Sequence, residues 1–289
     1  MSRRAYLLLV LLFCVTWSSA FPLAKIAMTV SPPPLFLGAR FITAALLLLA
    51  WAAMRGELDR RVPWLVLLGL GLLNQAGYQG FAWLGMRSVS GGLATIIASL
   101  NPILVAAVAV PLLGEAMTAR KAAGLLLGFA GAAFVVRNRI VLVGEDPHGI
   151  LLLALALVSM TAGTLAFKFA APRASLAAAV GIQQLGAGCA IMLAAVFRES
   201  PADITWNATL ALSFLWALIA VSLGALMLWF LLLRRGTASA ASSLHFLMPP
   251  LGLLMSWAAL GEPLQPLDLL GVVPVALGIR LATTERTPT

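Results

Sequence analysis

Long apolar stretches broken by short polar ones recur along the whole chain. A helix that crosses a bilayer needs about 20 mostly apolar residues. The pattern predicts ten such segments, at 6–29, 34–54, 63–85, 88–113, 117–136, 148–169, 174–197, 207–233, 237–260 and 264–283. The polar breaks are short, so no soluble domain fits between the segments. Ser18-Ser19-Ala20 has the small residues of a signal-peptide cleavage site. The apolar run nevertheless continues past it through Phe21 and Ile26, so 6–29 is read as a spanning helix. The expected fold class is an all-α integral membrane protein.

The same pattern is written twice. Residues 101–118 read NPILVAAVAVPLLGEAMT and residues 248–265 read MPPLGLLMSWAALGEPLQ. Pro102 returns as Pro249, Gly114-Glu115 as Gly261-Glu262, Gly124 as Gly271 and Gly131 as Gly278, each 147 positions later. Upstream, Arg87 returns as Arg234, and Lys25 and Gly38 return as Lys168 and Gly181 at a spacing of 143. The chain thus divides into two five-segment repeats, 1–144 and 145–289. Five is odd, so the second repeat enters the membrane upside down. Two inverted copies of one unit are a common plan of secondary transporters, each copy supplying one gate.

Composition and charge agree. Hydrophobic residues make up 62% of the 289 and charged residues only 10%, against about 25% charged in soluble domains, and the mean hydropathy is +1.02. The net charge of +9 lies between apolar segments, so it is read as a topology signal and not as a nucleic-acid surface. With the N-terminus in the cytoplasm, the inner side holds Arg3, Arg4, Arg55, Arg60, Arg61, Arg120, Lys121, Arg173, Arg234, Arg235 and Arg286. The outer side holds Arg87, Arg137, Arg139 and Arg198. The bias predicts both termini in the cytoplasm. Cys14 and Cys189 fall inside apolar runs and are read as small core residues. No CxxC, HExxH, Walker A or GxGxxG pattern occurs, so neither a metal nor a cofactor is expected.

These features resemble the drug/metabolite transporter superfamily, and within it the ten-helix exporters built from two EamA-type repeats. The resemblance rests on PLLGEAMTARKAAGLLLGFAGAAFV, on ALGEPLQPLDLLGVVPVALGI and on the opening VTWSSAFPLAKIA. It covers nearly the whole chain, and the chain looks most like the YddG-type amino-acid exporters. The resemblance implies a central cavity lined mainly by segments 1, 3, 4, 6, 8 and 9. It also implies a bacterial-type inner-membrane location and export of small metabolites, often amino acids.

Polar side chains inside lipid are tolerated where they face the bundle interior or a wet cavity. On that ground Trp17, Asn74, Tyr78, Ser99, Asn101, Thr161, Thr164, Ser242 and His245 are the candidate substrate-binding residues. Asn74 and Tyr78 stand four apart and would share one helix face. The bland alternative for each Ser and Thr is a bond to its own helix. Pro22, Pro102 and Pro249 are candidate hinges, or static kinks. Trp51, Trp64 and Trp206 lie near segment ends, as interface anchors do, while Trp83 and Trp257 stay open between cavity and lipid. Lys25 and Lys168 are expected to snorkel, Arg40 to bind backbone carbonyls of a neighbour, and each Gly-Glu carboxylate to cap the helix that follows it. The glycines of segments 5 and 10 predict close packing of these helices, within one chain or in a homodimer.

No Asp or Glu lies in the middle of any segment. That argues against an exporter of organic cations coupled to protons through a buried carboxylate. The expected function is export of neutral and aromatic amino acids, or related metabolites, by facilitated or weakly coupled alternating access. Exchange of nucleotide sugars, or drug export, is the alternative. The middles of segments 3, 4, 8 and 9 lack the paired basic residues that phosphate would require. An intramembrane hydrolase built on Ser242 and His245 is a remoter reading.

Overall fold

The computed structural model describes residues 3–59, 61–139 and 144–283. Arg60 and Arg286 of the charge count lie outside them. Among the described residues the structure is helical without strands. Nine helices among the described residues are long and apolar enough to cross a membrane: α1 (Arg4–Met28), α2 (Pro33–Met54), α4 (Gly91–Leu113), α5 (Ala119–Val136), α6 (Pro147–Ala170), α7 (Leu176–Val196), α8 (Ala208–Arg235), α9 (Ala238–Leu260) and α10 (Pro266–Thr283). The tenth, α3, runs over 64–85 as Trp64–Gly71, Leu72–Gly80 and Phe81–Gly85. Asn74, Gln75, Tyr78 and Gln79 make it the most polar of the central helices.

The helix ends follow from local chemistry. Ser90, Thr118, Ser175, Asn207 and Thr237 each accept a backbone N–H of the first turn of α4, α5, α7, α8 and α9. Such a cap satisfies one of the donors that a helix start leaves open. Asp146 caps α6 through the N–H groups of His148 and Gly149. The Ser88 hydroxyl donates to the same carboxylate, and these bonds hold the Asp146 pKa below its ordinary value. At the other ends, α4 and α9 stop at Gly114 and Gly261, both left-handed with φ of 68° and 67°. A side chain is strained there, which explains the glycine of each Gly-Glu.

Two pairs of symmetry-related helices frame the bundle. In the first, α2 lies against α7, with Gly38 against Met192 and Gly188 against Phe41 and Ile42. In the second, α5 lies against α10. A Cβ on Gly278 would stand 2.5 Å from the amide N of Gly128, and one on Gly124 would stand 2.7 Å from the carbonyl O of Gly278. The glycine stripes of the sequence thus close a seam inside one chain. Between the frames α1 packs on α8 and α9, and α6 packs on α3 and α4. Each repeat therefore inserts its first helix into the other.

Residues 72–80 of α3 and 217–225 of α8 are π-helical, which the sequence pattern did not foretell. The two stretches occupy corresponding places in the repeats. Breaks in the helices also correspond. The regular helix of α4 breaks at Leu100, before Pro102, and α9 passes through a tighter turn at Leu244–Leu247, before Pro249. A break at Ser19 precedes Pro22 in α1.

Candidate functional site

Cavities run inward from one face of the membrane. The outermost, about 340 Å³, is lined by Phe21, Lys25, Met86, Gly91, Thr95, Pro249 and Glu262 among others. It shares Phe21 and Met86 with a deeper pocket of about 60 Å³, walled by Trp17, Tyr78, Gln79, Trp83, Leu157 and Met160. The innermost, about 10 Å³, touches Tyr78, Thr95, Ser99, His245 and Pro249. These walls come chiefly from α1, α3, α4, α6 and α9, with Val221 alone from α8.

Aromatic rings close the inner end. Trp17 stacks on Tyr78 with ring centres 6.4 Å apart. The His245 imidazole stands edge-on to Trp17 at 5.8 Å and to Trp229 at 4.7 Å. Phe13 packs against Trp17, Trp229 and His245 in the same cluster. Nδ1 of His245 lies 3.0 Å from the carbonyl O of Ser242. A carbonyl only accepts, so Nδ1 carries the proton and Nε2 presents a lone pair. Nε2 is buried without a partner.

The other candidates divide. Ser99 is buried at the innermost pocket, and its hydroxyl donates to the Thr95 carbonyl of its own helix. Asn101 accepts from the Thr161 hydroxyl at 3.1 Å, so its amide Nδ2 points elsewhere, buried and without a partner. The hydroxyls of Thr164 and Ser242 are likewise buried without partners. Asn74 donates to Gln183 Oε1 at 3.1 Å and to the Gly163 carbonyl at 3.4 Å. It therefore ties α3 to α7 and α6, while Tyr78 lines the pockets. A π turn holds more residues than an α turn, so the face expected from α-helical spacing is not kept.

Several expectations are corrected. Arg40 is fully buried; it donates to Gln79 Oε1 and lies over the Phe41 ring, so its partner is a side-chain amide and not a backbone carbonyl. Gln79, which Arg40 orients, is a wall residue the sequence reading passed over. Its signal was a lone arginine in mid-segment with no acid near it. Cys189 is exposed, whereas Cys14 is buried. Trp83 lines the deeper pocket, and Trp257 is exposed. Lys168 donates to the carbonyls of Leu233 and Gly236 at 3.1 and 2.7 Å, at the end of α8. Neither Gly-Glu carboxylate caps the helix that follows. Glu115 accepts from the N–H groups of Ala238 and Ser239 and from the Ser239 hydroxyl, at the start of α9 in the other repeat. Glu262 instead pairs with Lys25 Nζ at 2.5 Å.

The Glu115 end is sealed. Lys121 adds an ion pair at 3.2 Å, and both side chains are largely buried. Burial pushes the Glu115 pKa up, but the Ser239 hydroxyl, the Ala238 N–H and Lys121 outweigh it, and the net direction is down.

A solved structure matches this architecture with a TM-score of 0.82 at 22% identity, over 98% of this chain and 97% of that one. The chain is 30% identical to the transporter YvbV of Bacillus subtilis, over 98% of this chain and 92% of that protein. It is 25% identical to the inner membrane transporter YedA of Escherichia coli, over 93% and 87%. It is also 25% identical to the "Probable amino-acid metabolite efflux pump" of Salmonella typhimurium, over 94% and 92%. The EamA-like transporter family matches residues 4–137 and 147–284, one match in each repeat. A hydrolase reading is set aside on geometry as well, because His245 faces the carbonyl of Ser242 and not its hydroxyl. A ten-helix inverted-repeat bundle with cavities leading in from one face is thus a membrane transporter of small metabolites, and the chain belongs to the EamA-like transporter family of the drug/metabolite transporter superfamily.

Proposed function

We propose that this transporter exports amino acids, neutral and aromatic ones in particular, through the path from Trp17 and Tyr78 to the outer cavity. The face bearing Glu115 is cytoplasmic in this reading, as the distribution of Arg and Lys favours, and the membrane is the bacterial inner membrane. The observation that carries the reading is a pair of unmatched buried groups, His245 at the innermost pocket and Asn101 two residues past Ser99 of that pocket's wall. His245 Nε2 is an acceptor without a donor, and Asn101 Nδ2 is a donor without an acceptor. Leaving such groups unsatisfied costs roughly 1–3 kcal/mol each. A zwitterion answers both, its ammonium meeting His245 and its carboxylate meeting Asn101. Ser99 adds a hydroxyl at the innermost pocket and Thr161 orients Asn101, while Thr164 and Ser242 carry buried hydroxyls without partners outside the cavity walls. Trp17, Tyr78 and Trp83 supply apolar faces for a side chain.

No carboxylate stands at the inner pockets, so the ammonium is held without an ion pair. Such a site is weak and broad, which suits export from a concentrated pool and transport without obligatory proton coupling. Pro22, Pro102 and Pro249, beside breaks in α1, α4 and α9, are the bending points. The name of the Salmonella relative points to the same substrate class. Nucleotide sugars fit less well, because Arg40, a cation buried beside the path, is held by Gln79.

The test is uptake into proteoliposomes of labelled phenylalanine, methionine and threonine, with phenethylamine and 3-phenylpropionate as competitors. Uptake of the zwitterions, with neither competitor blocking it and no dependence on a pH gradient, supports the reading. Transport of the amine alone, or of a nucleotide sugar alone, overturns it.

A further inference from the structure

The two Gly-Glu motifs are symmetry mates, yet they do different things. At one end Glu115 caps the first turn of α9 at Ala238 and Ser239, and Lys168 binds the carbonyls of Leu233 and Gly236 at the end of α8. That end is shut. Spacings of 147 and 143 carry these contacts to the other repeat. There Glu262 corresponds to Glu115, Lys25 to Lys168, Gly91 and Gly92 to Ala238 and Ser239, and Met86 and Val89 to Leu233 and Gly236. All six of these residues line the 340 Å³ outer cavity. None of the corresponding contacts is made among the described residues. Glu262 holds Lys25 instead, and the Lys25 ammonium lies 3.7 Å from where a Cβ on Gly91 would be. A cation at a helix start faces the positive end of the helix dipole, which disfavours it.

We propose that Lys25 and Glu262 are the gating residues of the outer mouth and that closure is an exchange of partners. Glu262 leaves Lys25 and accepts from the N–H groups of Gly91 and Gly92 at the start of α4. Lys25 moves to the carbonyls of Met86 and Val89 at the end of α3. Each charge then meets the helix end of opposite sign, as Glu115 and Lys168 already do. The ion pair between them is the open-state resting place of the two, well exposed and easily parted. The glycines at 91 and 92 leave room for a carboxylate to approach. The exchange concerns transport as such and does not depend on which substrate is carried.

Cys14 reports on the opposite mouth. It packs at the Leu244 carbonyl in the sealed half, and Leu157 and Ile97, the mates of Cys14 and Leu244, line the open pocket of the other half. Cys14 should thus become reachable only when the Glu115 end opens and the outer mouth is shut. The experiment measures the rate at which a polar maleimide labels Cys14 in folded, purified protein carrying Cys189→Ala. Glu262→Ala is expected to slow labelling roughly tenfold, since it removes the closed-state partner of α4, and Glu115→Ala is expected to speed it by a similar factor. The double variant Lys25→Glu with Glu262→Lys separates a gate from a strut. It restores the ion pair but puts each charge at the wrong helix end on closure, so labelling stays slow. Labelling at the parent rate in the double variant, or unchanged labelling in Glu262→Ala, overturns the proposal. No transported substrate enters the measurement, so failure of the amino-acid reading leaves it standing.

Discussion

The mouths at the two ends of this bundle are built from one sequence motif and stand in opposite states. At the Glu115 mouth, carboxylate, ammonium and hydroxyl are buried together and satisfy the ends of α8 and α9. At the Glu262 mouth the corresponding carboxylate and ammonium pair with each other at the rim of a cavity, and the Glu262 side chain is 28% exposed against 7% for Glu115. The difference teaches that the motif is a latch and not a fixed cap. A carboxylate one residue past a left-handed glycine can reach the first turn of a helix from the other repeat when the bundle closes there. When the bundle is open it needs another partner, and Lys25 supplies one.

The comparison can be attacked in order of effect. The largest change should come from the seam that holds both mouths in register. Gly278→Leu drives a side chain into the backbone of Gly124 and Gly128. It should abolish recovery of folded protein on gel filtration, since overpacking backbone against backbone costs about 3 kcal/mol or more. Gly69→Ala, with open space around it, should leave recovery unchanged. Next is Glu115→Ala, which strips the cap from α9 and leaves Lys121 without its carboxylate. Thermal unfolding in detergent should show a loss of about 1–2 kcal/mol. Lys168→Gln should follow, with about 1 kcal/mol lost where its ammonium met two carbonyls.

Glu262→Ala should be the smallest, below about 1 kcal/mol, because an exposed pair contributes little. Equal losses for Glu115→Ala and Glu262→Ala would erase the distinction between the two ends. Acid sharpens it further. The Glu115 pKa is depressed in the folded protein. Its contribution is therefore present above the ordinary glutamate range of about 4.3 and is lost as pH falls through the depressed value. The stability gap between the parent and Glu115→Gln should hold from pH 7 to about 5 and shrink below about 4. A gap that is flat down to pH 3 would show that the carboxylate charge does nothing at that mouth.

Much of this was legible in one sequence. Spanning helices declare themselves because a bilayer demands unbroken apolar length, and the structure keeps the expected boundaries to within a few residues. The repeat declared itself through Pro102 and Pro249, Gly114 and Gly261, and Gly131 and Gly278. Such residues encode backbone geometry, which both copies must share. The α5–α10 seam followed from glycine spacing, because only a missing Cβ allows that approach. Whether the seam joined two chains or lay within one was not written there.

Tertiary structure decided the rest, for a physical reason. The long polar side chains that tie this bundle together find their partners on other helices, and neither the rotation of a helix nor its neighbours is local information. The π turns of α3 carry Asn74 toward Gln183 and leave Tyr78 on the pocket. Arg40 found Gln79 across the bundle, and Lys168 found carbonyls 65 and 68 residues away. Glu115 and Glu262 carry the same local sequence signal, so no reading of that signal can separate them. Only the packing of one repeat against the other assigns the seal to one end and the open cavity to the other.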